Sequence, residues 1–228
     1  MRSPTSARAL QWLCRFRVAE RPILFSGAMV RAILDGRKTQ TRRVVTGLPQ
    51  TPHGYGVYFE DGGDEWQFQP KDEDGDPGDG EVYFVKCPYG KPATVLWVRE
   101  TWGQSNGVWD DWEYHRGKPD QLLPVVYRAD NPTYGADDEY WRPSIHMPRW
   151  ASRITLEVTE VRVERLQDIS EDEAVAEGYD CSGLQEAATD VATVWFRTLW
   201  DEINAKRPGC SWEDSPWVWA ITFRRINA

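Results

Sequence analysis

Between Ser26 and Asp35 the apolar residues Met29, Val30, Ile33 and Leu34 recur at helical spacing, so this stretch reads as a helix with one buried stripe. Ser26 suits the N-cap, and Gly36 suits the left-handed position that closes a helix. Asp35 opposes the macrodipole slightly at that end. Residues 41–45 leave the helix as a strand. Residues 55–60 and 65–69 read as a hairpin across Asp61-Gly62-Gly63-Asp64. Residues 81–85, 94–99 and 122–128 read as further strands. The clearest strand is 153–166. Ile154, Leu156 and Val158 alternate there, and Val161 and Val163 resume out of phase, which predicts a bulge or bend near Thr159-Glu160. Ser170 and Glu173 have capping-box spacing and open a short helix ending at Gly178. Residues 184–204 read as a longer helix, with Val191, Trp195, Leu199 and Ile203 four apart. Trp217, Trp219, Ile221 and Phe223 alternate along a last strand.

The intervening segments are irregular. Residues 71–80 are acidic and rich in Gly and Pro, the composition of an exposed loop. Residues 101–118 carry Trp102, Trp109 and Trp112 among Gly, Asp and Asn and read as a structured loop. Residues 130–150, ending in Trp150, read as another. Strands with helices between them, and no internal repeat, give an α+β class. The expected organisation is a weakly ordered extension at 1–20 and one domain at 21–228.

With 228 residues, 40% hydrophobic and 28% charged, the chain can bury one good core. Its net charge of -9 argues against general binding of duplex nucleic acid, whose affinity comes from neutralised phosphates. It leaves room for a small nucleoside, or for a short single strand in a local basic pocket. Cys14, Cys87, Cys181 and Cys210 form no C-x-x-C pair, and His53, His115 and His146 are scattered. Neither a zinc site nor a disulfide framework is expected, and no cofactor. No apolar run reaches the length of a membrane span. A cytoplasmic protein with reduced thiols and no membrane partner is the expectation.

The most concentrated chemistry is Gly36-Arg37-Lys38-Thr39-Gln40-Thr41-Arg42-Arg43. Its charge alone fits a solvated basic turn after a helix. The segment also resembles the Gly-x-Lys-x-x-(Glu/Thr)-x-Arg signature of ASCH-domain proteins, a branch of the PUA-like fold, at Gly36, Lys38, Thr41 and Arg43. Residues 22–45, 96–102, 144–171 and 216–226 look like a phage or prophage ASCH protein. A narrower resemblance, over 36–43 and 166–177, is to small bacterial N4-acetylcytidine amidohydrolases. The resemblance implies a closed or nearly closed β-barrel with flanking helices, and an insertion at about 46–150.

It also implies a site. Amide hydrolysis needs a nucleophile, a base, a proton for the leaving nitrogen and a donor to the oxyanion. By analogy Lys38 is the base, Thr41 the nucleophile, and Glu177 orients the ammonium and relays a proton. Alternatively Lys38 and Glu177 activate a water and Thr41 only donates a hydrogen bond. On position alone Glu177, just before a helix-ending Gly, reads as an exposed surface group. Residues three apart on an ideal strand face opposite ways, so convergence of Lys38 and Thr41 requires irregular backbone at 37–40. Arg43 matches the signature. Arg37 and Arg42 read equally as solvated charges or as phosphate and base contacts. Trp102, Trp109, Trp112 and Trp150 are candidates for stacking on a base. The expected activity is removal of an N4-acyl group from a cytosine nucleoside. The alternatives are a non-catalytic module reading a modified base in RNA or DNA, and an interaction protein of phage assembly.

Overall fold

The alternating segments at 153–166 and 217–226 become the two long strands at the centre of the molecule. The computed structural model describes residues 20–49, 54–59, 65–104, 125–130, 141–182 and 190–226. The expectations for residues 1–19, for most of the 101–118 loop and for 184–189 lie outside these. Strand β1 (Glu20–Leu24), helix α1 (Gly27–Leu34) and strand β2 (Gln40–Val44) come first. They are followed by β3 (Tyr55–Phe59), β4 (Trp66–Pro70), β5 (Tyr83–Val85), β6 (Val95–Arg99), β7 (Trp102–Gln104) and β8 (Val125–Tyr127). Strand β9 (Thr155–Arg165), helices α2 (Glu171–Ala176) and α3 (Val191–Asn204), and strand β10 (Trp217–Ile226) complete the order.

Five strands form one sheet in the order β1-β6-β9-β10-β2. Only β1 and β6 pair in parallel. The predicted bulge is present: Thr222 pairs with Glu160 and Phe223 with Val158, so Thr159 is the extra residue. It returns Val161 to the inward face after the phase change. Sheets β3-β4-β5 and β7-β8 are separate. Residues 46–150 thus supply β6 to the main sheet as well as peripheral strands.

This is an α+β fold, but its sheets are not closed into a barrel. Among the described residues β1 and β2 are the two edges, each with one strand partner. The Arg43 side chain reaches from one to the other, donating from Nη2 to the Leu24 carbonyl at 2.6 Å.

One face of the sheet packs on α1 through Ile23, Val30, Ile33, Leu156, Trp219 and Ile221. The other packs on α2 and α3 through Leu166, Ala174, Phe196, Trp200 and Val218. Being covered on both faces, β10 is buried continuously from Val218 to Ile221. Helix α1 follows its sequence pattern: Ser26 Oγ accepts from Met29 N and Gly36 has φ +77°. Helix α3 does not. Ala192, Phe196, Trp200 and Asn204 are buried, one position beyond the expected row, and Ile203 is 52% exposed. Both rows are largely apolar at four-residue spacing. The bulkier ring pair packs with Trp212 and wins, and Trp200 donates Nε1–H to the Cys210 carbonyl.

Trp102 is likewise not in a loop. It lies in β7, 2% exposed, packed with Met147 and Ala151 and edge-on to Trp150. No helix among the described residues is long and apolar enough to cross a membrane.

Candidate functional site

Helix α1 ends in a tight loop that aims the next residues at α2. The N–H groups of Arg37 and Lys38 both donate to the Ala32 carbonyl, and Thr39 N–H donates to the Ala176 carbonyl at the end of α2. Regular strand begins at Gln40, so the irregular backbone expected at 37–40 is confined to residues 37–39. On the α2 side Gly178 has φ +109°, and a Cβ there would lie 3.0 Å from Ala32 Cβ and 3.2 Å from Lys38 Cβ. Glycine is needed for both reasons: left-handed backbone and close approach.

This docking buries Lys38 against Glu177, and both are 2% exposed. Lys38 Nζ donates to Glu177 Oε2 at 2.6 Å and to the Glu177 carbonyl at 2.8 Å. The surface position expected of Glu177 is therefore overturned. The carboxylate is turned inward because Lys38 and Arg42 supply the charge partners that burial requires. Burial pushes the Lys38 ammonium below the usual lysine range; Glu177 opposes this, while Arg43 and Arg42 add to it. A base that works near neutral pH needs a shift in that direction.

Arg42 is not a free cation either. Its side chain is fully buried and donates from Nε and Nη2 to Glu164 at 2.9 and 2.5 Å, and from Nη2 to Glu173 at 2.9 Å. Nη1 reaches Gln40 at 2.7 Å and Glu177 Oε1 at 3.4 Å. Arg162 continues the network to Glu160, Glu164 and Glu173. Sheet register explains the cluster. Arg42 pairs with Ala220, which pairs with Arg162. The small alanine leaves one row open for two guanidinium groups, with acids above and below. The alternation Glu160, Arg162, Glu164 was the available sequence signal. Glu173, expected to cap α2, does cap it and also binds Arg42. Glu171 instead accepts from Ala192 N, Thr193 N and Thr193 Oγ1 at the start of α3.

Arg37 is half-exposed and donates to Asp35 and to the Gly178 carbonyl. Arg43 lies with Cζ 5.3 Å from the Phe25 ring centre, and its Nε is buried without a partner. The Thr41 side chain, 3% exposed, makes no hydrogen bond among the described residues.

A cavity of about 360 Å³ runs along the free edge of β2. Thr41, Arg42, Arg43 and Glu177 line it, with Phe196, Trp200 and Arg207 from the α3 side and Tyr89 opposite. Lys38 and Arg37 are not in its wall. Trp102 is not either, so it is no stacking platform here; Trp150 is absent as well. The edge contributes backbone. Phe223 N–H donates to the Thr39 carbonyl and Val45 N–H to the Trp217 carbonyl. Odd-numbered residues of β2 therefore face β10, and Gln40, Arg42 and Val44 turn their N–H and C=O groups outward. Among the described residues no group of three or more His, Cys, Asp or Glu side chains is placed to hold a metal.

Comparison with protein-family models, with curated proteins and with solved structures finds no match to this chain.

Proposed function

We propose that the chain is a PUA-like ASCH hydrolase that removes the acyl group from N4-acylated cytosine nucleosides. The observation that carries this reading is the buried Lys38–Glu177 pair set behind a cavity wall formed by Thr41 and Glu177. Burial of both charges has no stabilising advantage over apolar residues of the same volume, so a role in chemistry accounts for it better than packing does. A cavity of about 360 Å³ is of the size that small-molecule sites have.

In the reaction, Lys38 takes the Thr41 hydroxyl proton as Oγ1 attacks the acyl carbon. The C–N4 bond breaks, and the proton held between Lys38 and Glu177 passes to the leaving amine. Water then hydrolyses the acyl-threonine and releases the carboxylate. The outward N–H group of Arg42, next to Thr41 on the edge strand, is the oxyanion donor this scheme needs. Arg42 acts as a positioning residue: anchored by Glu164 and Glu173, it fixes Glu177 Oε1 while Lys38 holds Oε2.

The test is release of cytidine from N4-acetylcytidine by the purified chain, followed by chromatography. Thr41→Ala stops turnover and Thr41→Ser retains part of it. Full turnover in Thr41→Ala would transfer the attack to a water activated by Lys38 and Glu177. One observation favours a second reading. Lys38 commits two N–H groups to Glu177 and none to Thr41, as suits a module that binds a modified base without cleaving it. That module would bind N4-acetylcytidine and release no cytidine.

A further inference from the structure

The cavity wall carries three arginines, Arg42, Arg43 and Arg207, against one carboxylate, Glu177. Arg42 is already matched by Glu164 and Glu173, and Glu177 by Lys38 and Arg42. The positive charge left over belongs to the other two arginines. Arg43 uses Nη2 on the Leu24 carbonyl and has a buried Nε with no acceptor. Arg207 is exposed, just beyond the end of α3, and its guanidinium has no ion pair or hydrogen bond among the described residues. A chain of net charge -9 therefore carries a local positive focus at this cavity, a placement that draws an anionic ligand. A neutral nucleoside would leave both guanidinium groups without a counter-charge.

From this we infer that the preferred ligand is a phosphorylated nucleoside, a 5′-monophosphate, with its phosphate on Arg207 and Arg43. The inference rests on the nucleoside-hydrolase reading for the base, and on these two arginines for the phosphate. Guanidinium groups suit phosphate because they donate in a planar fork. Arg207 has a plainer role to be separated from this one: it offsets the negative C-terminal end of the α3 dipole.

The experiment compares kcat/KM for N4-acetylcytidine and its 5′-monophosphate, and calorimetric affinity for cytidine and cytidine 5′-monophosphate. The phosphorylated member of each pair is expected to be favoured by about tenfold or more, the scale of one charge-assisted contact. In Arg207→Gln that ratio falls to about one, while the thermal midpoint reports any separate loss at the helix end. Equal values for the two members in the wild-type chain overturn the inference. So does a preference that survives both Arg207→Gln and Arg43→Gln, or one matched by inorganic phosphate alone. A short unphosphorylated single strand binding tenfold tighter than the monophosphate overturns it in favour of phosphodiester. Turnover of N4-acetylcytidine without phosphate preference leaves the hydrolase reading standing. Phosphate-dependent binding without turnover removes that reading and keeps the inference.

Discussion

Replacing Lys38 by Met tests whether the Lys38–Glu177 contact is a true buried ion pair. The substitution keeps the length and bulk of the chain and removes the ammonium. Glu177 Oε2 then loses a 2.6 Å donor and the Glu177 carbonyl a 2.8 Å donor. Oε1 keeps only the 3.4 Å contact to Arg42. A carboxylate 2% exposed has little water to turn to. Breaking such a pair costs about 3–5 kcal/mol. The surviving Arg42 contact puts the expected loss near the lower end, about 3 kcal/mol, with roughly 1 kcal/mol more for the unpaired carbonyl. In a chain of this size that lowers the thermal midpoint by about 10 °C. The double variant Lys38→Met/Glu177→Met removes both charges. Arg42 still has Gln40, Glu164 and Glu173, so the double variant is expected to be more stable than Lys38→Met alone. Urea unfolding of wild type, both single variants and the double gives the coupling directly. A Lys38→Met loss under about 1 kcal/mol, or strictly additive single effects, would show that the contact is not a buried ion pair.

Three other outcomes follow from the same geometry. Gly178→Ala forces a left-handed alanine and a Cβ 3.0 Å from Ala32 Cβ, and is expected to cost about 1–3 kcal/mol in urea unfolding; an unchanged midpoint contradicts the close docking of α2 on α1. Lys38 must be neutral to act as base and its pKa is lowered by burial, so kcat/KM rises with pH through an apparent pKa below 10.5, and a rate that falls over this range contradicts the base assignment. Trp102→Ala opens the β7 core and is expected to cost about 3–5 kcal/mol with KM for nucleoside unchanged in the folded fraction; a raised KM without instability would restore Trp102 to the site.

Local signals were legible where one physical demand decides the outcome. Ser26, Gly36 and the Ser170–Glu173 box mark helix ends because terminal N–H and left-handed backbone have few solutions. The phase change after Val158 located the bulge, since only an extra residue restores an inward face. The buried α3 stripe lies one position beyond the expected row because two adjacent rows offer similar apolar content, and tertiary packing of Phe196 and Trp200 chooses between them. Burial of Glu177 was illegible locally: its partners Lys38 and Arg42 lie some 140 positions earlier in the chain. Trp102 lies in a strand rather than a loop for a related reason, since β7 pairs with β8 across a long connection. The resemblance at Gly36, Lys38, Thr41 and Arg43 pointed to the α1–β2 junction, and the cavity lies beside it. The same motif gave no hint that Arg42 is neutralised by Glu164 and Glu173, or that Arg207 borders the cavity.

The most direct measurement is a progress curve of cytidine release from N4-acetylcytidine by the wild-type chain and by Lys38→Met, both below the variant's unfolding midpoint. Steady release by the wild type, and none by the variant while its circular dichroism remains native, is the expected result. No cytidine from the wild type, or equal release by both, would contradict it.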